Sequence, residues 1–163
     1  MNAFEPLIGE WHGDGEIPLE PPLKISADVR FERLGVFVVF SSVGVPADLP
    51  SSVSIIGGAP DGEPQPMHYF DSRGVKRLFL TVVDGPTWRI WRAPGEDWNG
   101  PDGPGFNQRF IGEISADGTT IVGRWERGLG AAGVATPYGV TMTLPFEWPS
   151  SIQRSASTIS SSG

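Results

Sequence analysis

The chain contains no cysteine, so disulfides and thiolate metal sites are excluded and a reducing compartment is the simplest setting. No apolar run approaches the roughly 20 residues needed to span a bilayer. The first residues show no basic segment followed by an apolar one, so no secretory signal is read. The expectation is a cytoplasmic protein without a membrane span. Positive charge is scarce: 12 Lys and Arg stand against 19 Asp and Glu, a formal net charge of −7. Nucleic acid calls for a basic stripe or patch. None is visible, so no nucleic-acid partner is expected, and the acidic surface favours solubility.

Signals for chemistry are also few. There is no Gly-rich phosphate loop of Walker or Rossmann type, no His/Asp/Glu set at metal-ligand spacing, and no legible Ser-His-Asp arrangement. The chain has two histidines. These absences lower the case for an enzyme without removing it, and the sequence leaves monomer and homodimer open. No segment sustains a 3.6-residue period over helical length, which argues against a helical fold.

What the 163 residues do contain is turn formers and aromatics: 22 Gly, 16 Pro, 6 Trp and 9 Phe. The stretch FNQRFIGEISADGTTIVGRWER, residues 106–127, holds two alternating runs around Asp117-Gly118. Asp-Gly between alternating runs is a strong hairpin signal, because the tight turn needs positive φ and Gly adopts it at little cost. The pattern recurs at Asp61-Gly62, Ser72-Arg73-Gly74 and Asp84-Gly85.

Strands are expected at Leu7–Gly15, Lys24–Leu34, Val36–Val43, Val53–Ile56, Met67–Asp71, Val75–Val83, Thr87–Ala93, Asn107–Ser115, Thr119–Arg127 and Val140–Trp148. Residues 1–6 read as a lead-in with one short helical turn. Loops are expected at 94–105, a segment carrying Trp98 and long enough for a lid or binding loop, and at 128–138. The expected fold class is all-β: one antiparallel up-and-down barrel of about ten strands over residues 1–148. A disordered Ser-rich tail is expected at 149–163.

Leu7-Ile8-Gly9-Glu10-Trp11, followed by Gly13 and Gly15, resembles the opening strand of calycin barrels, the group of lipocalins and fatty-acid-binding proteins. The added glycines are similar to those of nitrobindin-like barrels. MHYFDSRGVKR (67–77), FNQRFIGEIS (106–115) and GRWE (123–126) resemble bacterial lipocalin-like domains. The resemblance spans roughly residues 7–148 and implies a barrel that holds a small hydrophobic or amphipathic molecule. Two departures stand out. Nitrobindins hold haem through a histidine late in the chain, whereas here only His12 and His68 occur and none follows Ser72, so the resemblance does not carry haem with it; no cofactor is expected, and a haem-binding protein using His68 or His12 is the least favoured alternative. Lipocalins also place a basic residue on a late strand over the tryptophan; Arg124 is the available substitute.

A barrel of this size can enclose a cavity, apolar with a few placed polar groups. The expected ligand-binding residues are Trp11, Phe31, Phe40, His68, Tyr69, Arg77, Phe79, Trp91, Arg109 and Trp125. An internal arginine would fix an anionic or carbonyl end, as the fatty-acid-binding resemblance implies. Alternatively Arg109, Arg124 and Glu126 form cross-strand ion pairs on a solvated face. If the barrel is an enzyme, a cyclase or isomerase of polyketide-type metabolism, the catalytic candidates are His68 as acid/base with Tyr69 and Asp71. Asp71 has a competing role, capping the turn at Ser72-Arg73-Gly74. No metal ligands are expected.

Overall fold

Side-chain alternation decides what this chain buries. In a strand, successive side chains point to opposite faces, and Lys76–Asp84 follows that rule through its length: Arg77, Phe79, Thr81 and Val83 are buried, while Lys76 and Asp84 are exposed. The computed structural model describes residues 3–45, 49–92, 106–129 and 136–143.

After a 3-10 turn at Glu5–Leu7 come ten strands: β1 (Gly9–Ile17), β2 (Leu23–Leu34), β3 (Phe37–Val45), β4 (Ser52–Ile56), β5 (Gln65–Asp71), β6 (Lys76–Asp84), β7 (Thr87–Arg92), β8 (Phe106–Ile114), β9 (Thr120–Leu129) and β10 (Thr136–Thr143). Each pairs antiparallel with its neighbours in sequence. β1 pairs on its other side with β10, from His12 opposite Thr143 to Gly15 opposite Val140. The order is therefore β1-β10-β9-β8-β7-β6-β5-β4-β3-β2. The molecule is all-β, an antiparallel up-and-down sheet curled into a barrel-like form. Among the described residues no helix is long and apolar enough to cross a membrane.

The expected strands are present with shifted ends: the first runs Gly9–Ile17 rather than Leu7–Gly15, Leu7 closing the 3-10 turn, and the last begins earlier than expected. The loop expected at 128–138 is shorter, because β9 continues to Leu129 and β10 begins at Thr136. Pro137 does not prevent this; it stands opposite Glu126 of β9, and the β1 pairing on the other side begins only at Val140, so the proline sits at an edge of the ladder, which strands tolerate. The expected loop at 94–105 with Trp98, residues 144–148 of the last expected strand, and the tail at 149–163 lie outside the described residues.

The turns follow the expected chemistry. Gly118 adopts φ 70° and Gly74 φ 81°, the left-handed region that side-chain-bearing residues disfavour. Asp117 Oδ1 accepts the Thr119 N–H at 3.0 Å, which holds the β8–β9 turn.

One end of the interior is packed solid. Leu7 and Trp11 are almost fully buried there, and the Trp11 indole N–H donates to the Leu7 carbonyl at 2.8 Å, tying the 3-10 turn into the core. Above them Trp88 meets Phe31, Phe40 and Phe110 edge-on, with ring centroids 5.5, 6.2 and 5.0 Å away. Phe31 and Phe40 stack at 4.6 Å. This aromatic layer forms a floor, and the space beyond it is not filled.

Candidate functional site

Beyond the floor, toward Gly13–Gly15 and Leu49, lies a cavity of about 290 Å3. Small residues wall it: Gly13, Gly15, Ala27, Ser42 and Ser52 are too small to fill it, and Gly44 makes room for Leu49, which packs against it. Phe40, Met67, Phe79 and Trp125 supply the apolar surface, and Tyr69, Arg77 and Gln108 add polar groups. A larger concavity, about 950 Å3, lies at the other end against Arg33, Gly57, Glu63, Asp84, Arg89 and Trp91. Turn residues, charged side chains and the buried Phe4, Val38, Ile56 and Val83 line it, and none of the buried polar residues Ser54, Arg77 and Thr81 borders it. The smaller, interior cavity has the character of a ligand site.

The polar wall comes from the register. One inward row crosses four strands as Phe40, Ser54, Tyr69 and Arg77, each opposite the next. The neighbouring row places Ser42 opposite Ser52, and Ser52 opposite Asp71. The two serine hydroxyls bond each other at 2.8 Å. Arg77 is only 9% exposed.

Tyr69 donates its phenolic O–H to Asp71 Oδ2 at 3.0 Å. Burial foremost, and then the Asp71 charge and hydrogen bond, push the Tyr69 phenol up to about 12, against the opposing pull of Arg73 and Arg77. It is a neutral hydrogen-bonding group at physiological pH, not a base. Asp71 has no exposed side-chain surface and binds the Arg73 guanidinium at 2.7 Å. It also accepts the backbone N–H groups of Arg73 at 2.9 Å and Val75 at 3.3 Å. The expected turn cap is therefore present, and the same carboxylate anchors Tyr69.

Burial acts to raise the Asp71 carboxyl, but the hydrogen bonds from Arg73, Tyr69 and Val75 outweigh it and hold it below the ordinary aspartate value. A carboxylate whose folded pKa is depressed stabilises the fold above its unfolded pKa, and the contribution is lost as pH falls through the folded value. Thermal melts should show wild type losing stability in acid more steeply than Asp71→Asn, which starts lower at neutral pH. Parallel acid profiles for the two would refute this role for Asp71.

The positions singled out from the sequence separate into three groups. Phe40, Tyr69, Arg77, Phe79 and Trp125 wall the cavity. Trp11 and Phe31 belong to the solid core. Three point outward. His68 is exposed, because it is adjacent in sequence to Tyr69 and the pleat sends it to the opposite face. The set His68, Tyr69 and Asp71 is therefore not assembled; only the last two meet. Trp91 shares its parity with exposed Arg89, opposite to buried Trp88 and Ile90, and borders the larger concavity. Arg109 is exposed and ion-paired with Glu126, which also binds Arg124 at 2.9 Å. The two arginines, Arg109 first, hold the Glu126 carboxyl below its usual value. Of the two readings of these residues, ion pairing on the outer face is present: Arg109–Glu126 crosses from β8 to β9, and Arg124–Glu126 lies along β9. Arg124 consequently does not serve Trp11, whose indole is held by Leu7.

His12 is likewise outward, bonded to Asp28 at 2.9 Å. The Asp28 hydrogen bond is the main cause that raises its pKa. With both imidazoles outside, the residues do not provide the inward histidine of a nitrobindin-type haem site. Among the described residues no group of three or more His, Cys, Asp or Glu is arranged to hold a metal ion. Sequence reasoning missed Gln108, Met67 and the paired serines. Parity with buried Phe110 was the signal that could have found Gln108.

No protein-family model matches the chain, and no curated protein matches it. Among solved structures it is similar to the crystal structure of Rv2717c from M. tuberculosis. The identity is 16%, the TM-score 0.67, and the match covers 90% of this chain and 99% of that one. A likeness at this identity supports the β-barrel fold.

Proposed function

We propose that the chain is a binding protein for a small amphipathic molecule, taken into the interior of a closed, ten-stranded calycin-like barrel. The observation that carries the reading is a hollow with an apolar wall and a 9%-exposed arginine, Arg77, on its lining. The ligand's apolar body packs on Phe40, Phe79 and Trp125, and its anionic or carbonyl end meets Arg77.

Magnitudes show why the arginine matters. An aromatic body of 150–250 Å2 gains roughly 4–6 kcal/mol on leaving water. The loss of free motion on association costs about as much or more, so apolar burial alone gives weak binding. A charge-assisted hydrogen bond adds about 1.5–3 kcal/mol, on the order of tenfold to a hundredfold in affinity.

The test is a titration with 2-naphthoic acid, followed by tryptophan fluorescence in wild type, Trp125→Phe and Arg77→Met. Saturable binding at one site is expected, with the signal reduced in Trp125→Phe and the affinity reduced about tenfold or more in Arg77→Met. Binding of the acid that ignores the Arg77 substitution would overturn the reading. A cyclase or isomerase working in the same cavity would have to do without His68, and Tyr69 retains its proton under Asp71; the binding reading is therefore the stronger.

A further inference from the structure

The donors and acceptors of the cavity wall do not balance. Tyr69 has committed its only O–H to Asp71, so its oxygen can only accept from a guest. The hydroxyls of Ser42 and Ser52 bond each other. Gln108 also lines the cavity, and its Oε1 is buried with no hydrogen-bond partner. A buried amide oxygen left unpaired is costly, and native proteins rarely keep one without a reason. Arg77, by contrast, carries only donors. The wall thus presents a cationic donor on one strand and an unsatisfied acceptor on another.

The spacing narrows the guest. Arg77 is on β6 and Gln108 on β8, with β7 between them. Thr81, Ile90 and Phe110 stand opposite one another, which puts Gln108 level with Phe79 and two residues along from Arg77. Two strand spacings and that offset separate the two backbones by roughly 12 Å. The two contacts thus start from separate points of the wall, and a compact body with polar groups at its two ends can meet both.

From this juxtaposition we infer that the cavity selects hydroxylated aromatic carboxylic acids, with the carboxylate at Arg77 and a hydroxyl at the far end of the ring system donating to Gln108 Oε1. The inference rests on the interior binding proposed above and adds the identity of the second polar contact. It also separates this site from one for simple fatty acids, which bring no distal donor and would leave Gln108 unpaired.

Three probes of matched shape test it: 2-naphthoic acid, 6-hydroxy-2-naphthoic acid and 6-methoxy-2-naphthoic acid, titrated calorimetrically. In wild type the hydroxy acid should bind about tenfold tighter than the unsubstituted one, since it alone satisfies the amide oxygen. The methoxy acid, which accepts but cannot donate, should bind more weakly than the hydroxy acid. In Gln108→Met the hydroxy-to-unsubstituted ratio should collapse to about one. In Gln108→Glu, which keeps an acceptor and guards against a folding artefact in the first variant, the preference should persist.

Equal affinities of the hydroxy and unsubstituted acids in wild type would overturn the inference while leaving the cavity reading intact. So would a preference that survives Gln108→Met in folded protein, or a methoxy acid that binds as well as the hydroxy acid. Failure of all three acids to bind would remove the cavity reading and the inference together.

Discussion

Replacing Trp88 by alanine is expected to destabilise the protein by about 3–5 kcal/mol, the range for deleting a fully buried large aromatic. Domains of this size are commonly stable by only about 5–15 kcal/mol, so the variant should unfold at a much lower urea concentration. Its melting temperature should fall by roughly 10 °C or more. The reason is position. Trp88 is 2% exposed and touches Phe31, Phe40 and Phe110, so it joins β2, β3, β7 and β8 across the interior. Its removal would also extend the hollow through the floor, because Phe40 both packs on Trp88 and walls the cavity.

The indole N–H donates to Thr81 Oγ1 at 3.0 Å, and the Thr81 hydroxyl donates in turn to the Arg89 carbonyl at 2.9 Å. Thr81→Val keeps the shape and leaves the indole without an acceptor, so it should cost about 1–3 kcal/mol. In the double variant the part of the Thr81 cost that comes from the stranded indole should vanish, while the part from the lost Arg89 bond remains. A loss below about 1 kcal/mol for Trp88→Ala, set against the 3–5 kcal/mol range, would mean that the aromatic layer does not hold the core.

The second large effect is expected at a glycine. Gly123 and Gly112 stand opposite each other on β9 and β8, and the Phe110 ring lies across both. A Cβ at Gly123 would fall 2.5 and 2.6 Å from two Phe110 ring carbons and 2.8 Å from the Ile111 carbonyl oxygen. A buried ring and a ladder carbonyl cannot both retreat. Gly123→Ala should therefore cost about 1–3 kcal/mol or more through overpacking, although alanine is the smallest possible addition.

Phe110→Leu removes the ring and should partly rescue Gly123→Ala, which a double-mutant cycle read by urea unfolding would show. The Ile111 carbonyl remains, so rescue should be incomplete. Strict additivity of the two substitutions would show that the ring is not what excludes a side chain at Gly123. Phe110 also lies 5.3 Å from Trp125. Displacing it should perturb the cavity wall, visible as altered tryptophan fluorescence in Gly123→Ala.

Much of the architecture was legible because strand periodicity and turn chemistry are local properties. The alternation of Lys24–Leu34 and the Asp117-Gly118 turn lie within a few residues of one another, and the strands they mark are present. Parity along a single strand was equally legible: Arg77 and Phe79 share a face in the sequence and in the structure. Errors arose where chemical appeal overrode that same parity. His68 attracted attention as a titratable group beside aromatics, yet it alternates with Met67 and Tyr69 and must face away from them. Between Trp88 and Trp91 the sequence offers no such signal, because Arg92 shares the parity of Trp88 and Arg89 that of Trp91; the structure buries Trp88.

The sequence by itself determined an all-β, up-and-down succession of strands, and which residues share a face along each one. Which face is inside, and which residues of different strands become neighbours, was decided only by the tertiary structure. Register is a relation between strands distant in sequence, and a shift of one residue would exchange the faces. That relation lines up Phe40, Ser54, Tyr69 and Arg77 in one row and brings Gln108 to the same cavity from β8. It also divides the interior into a packed half, where large rings meet, and a hollow half, where glycine, alanine and serine leave space.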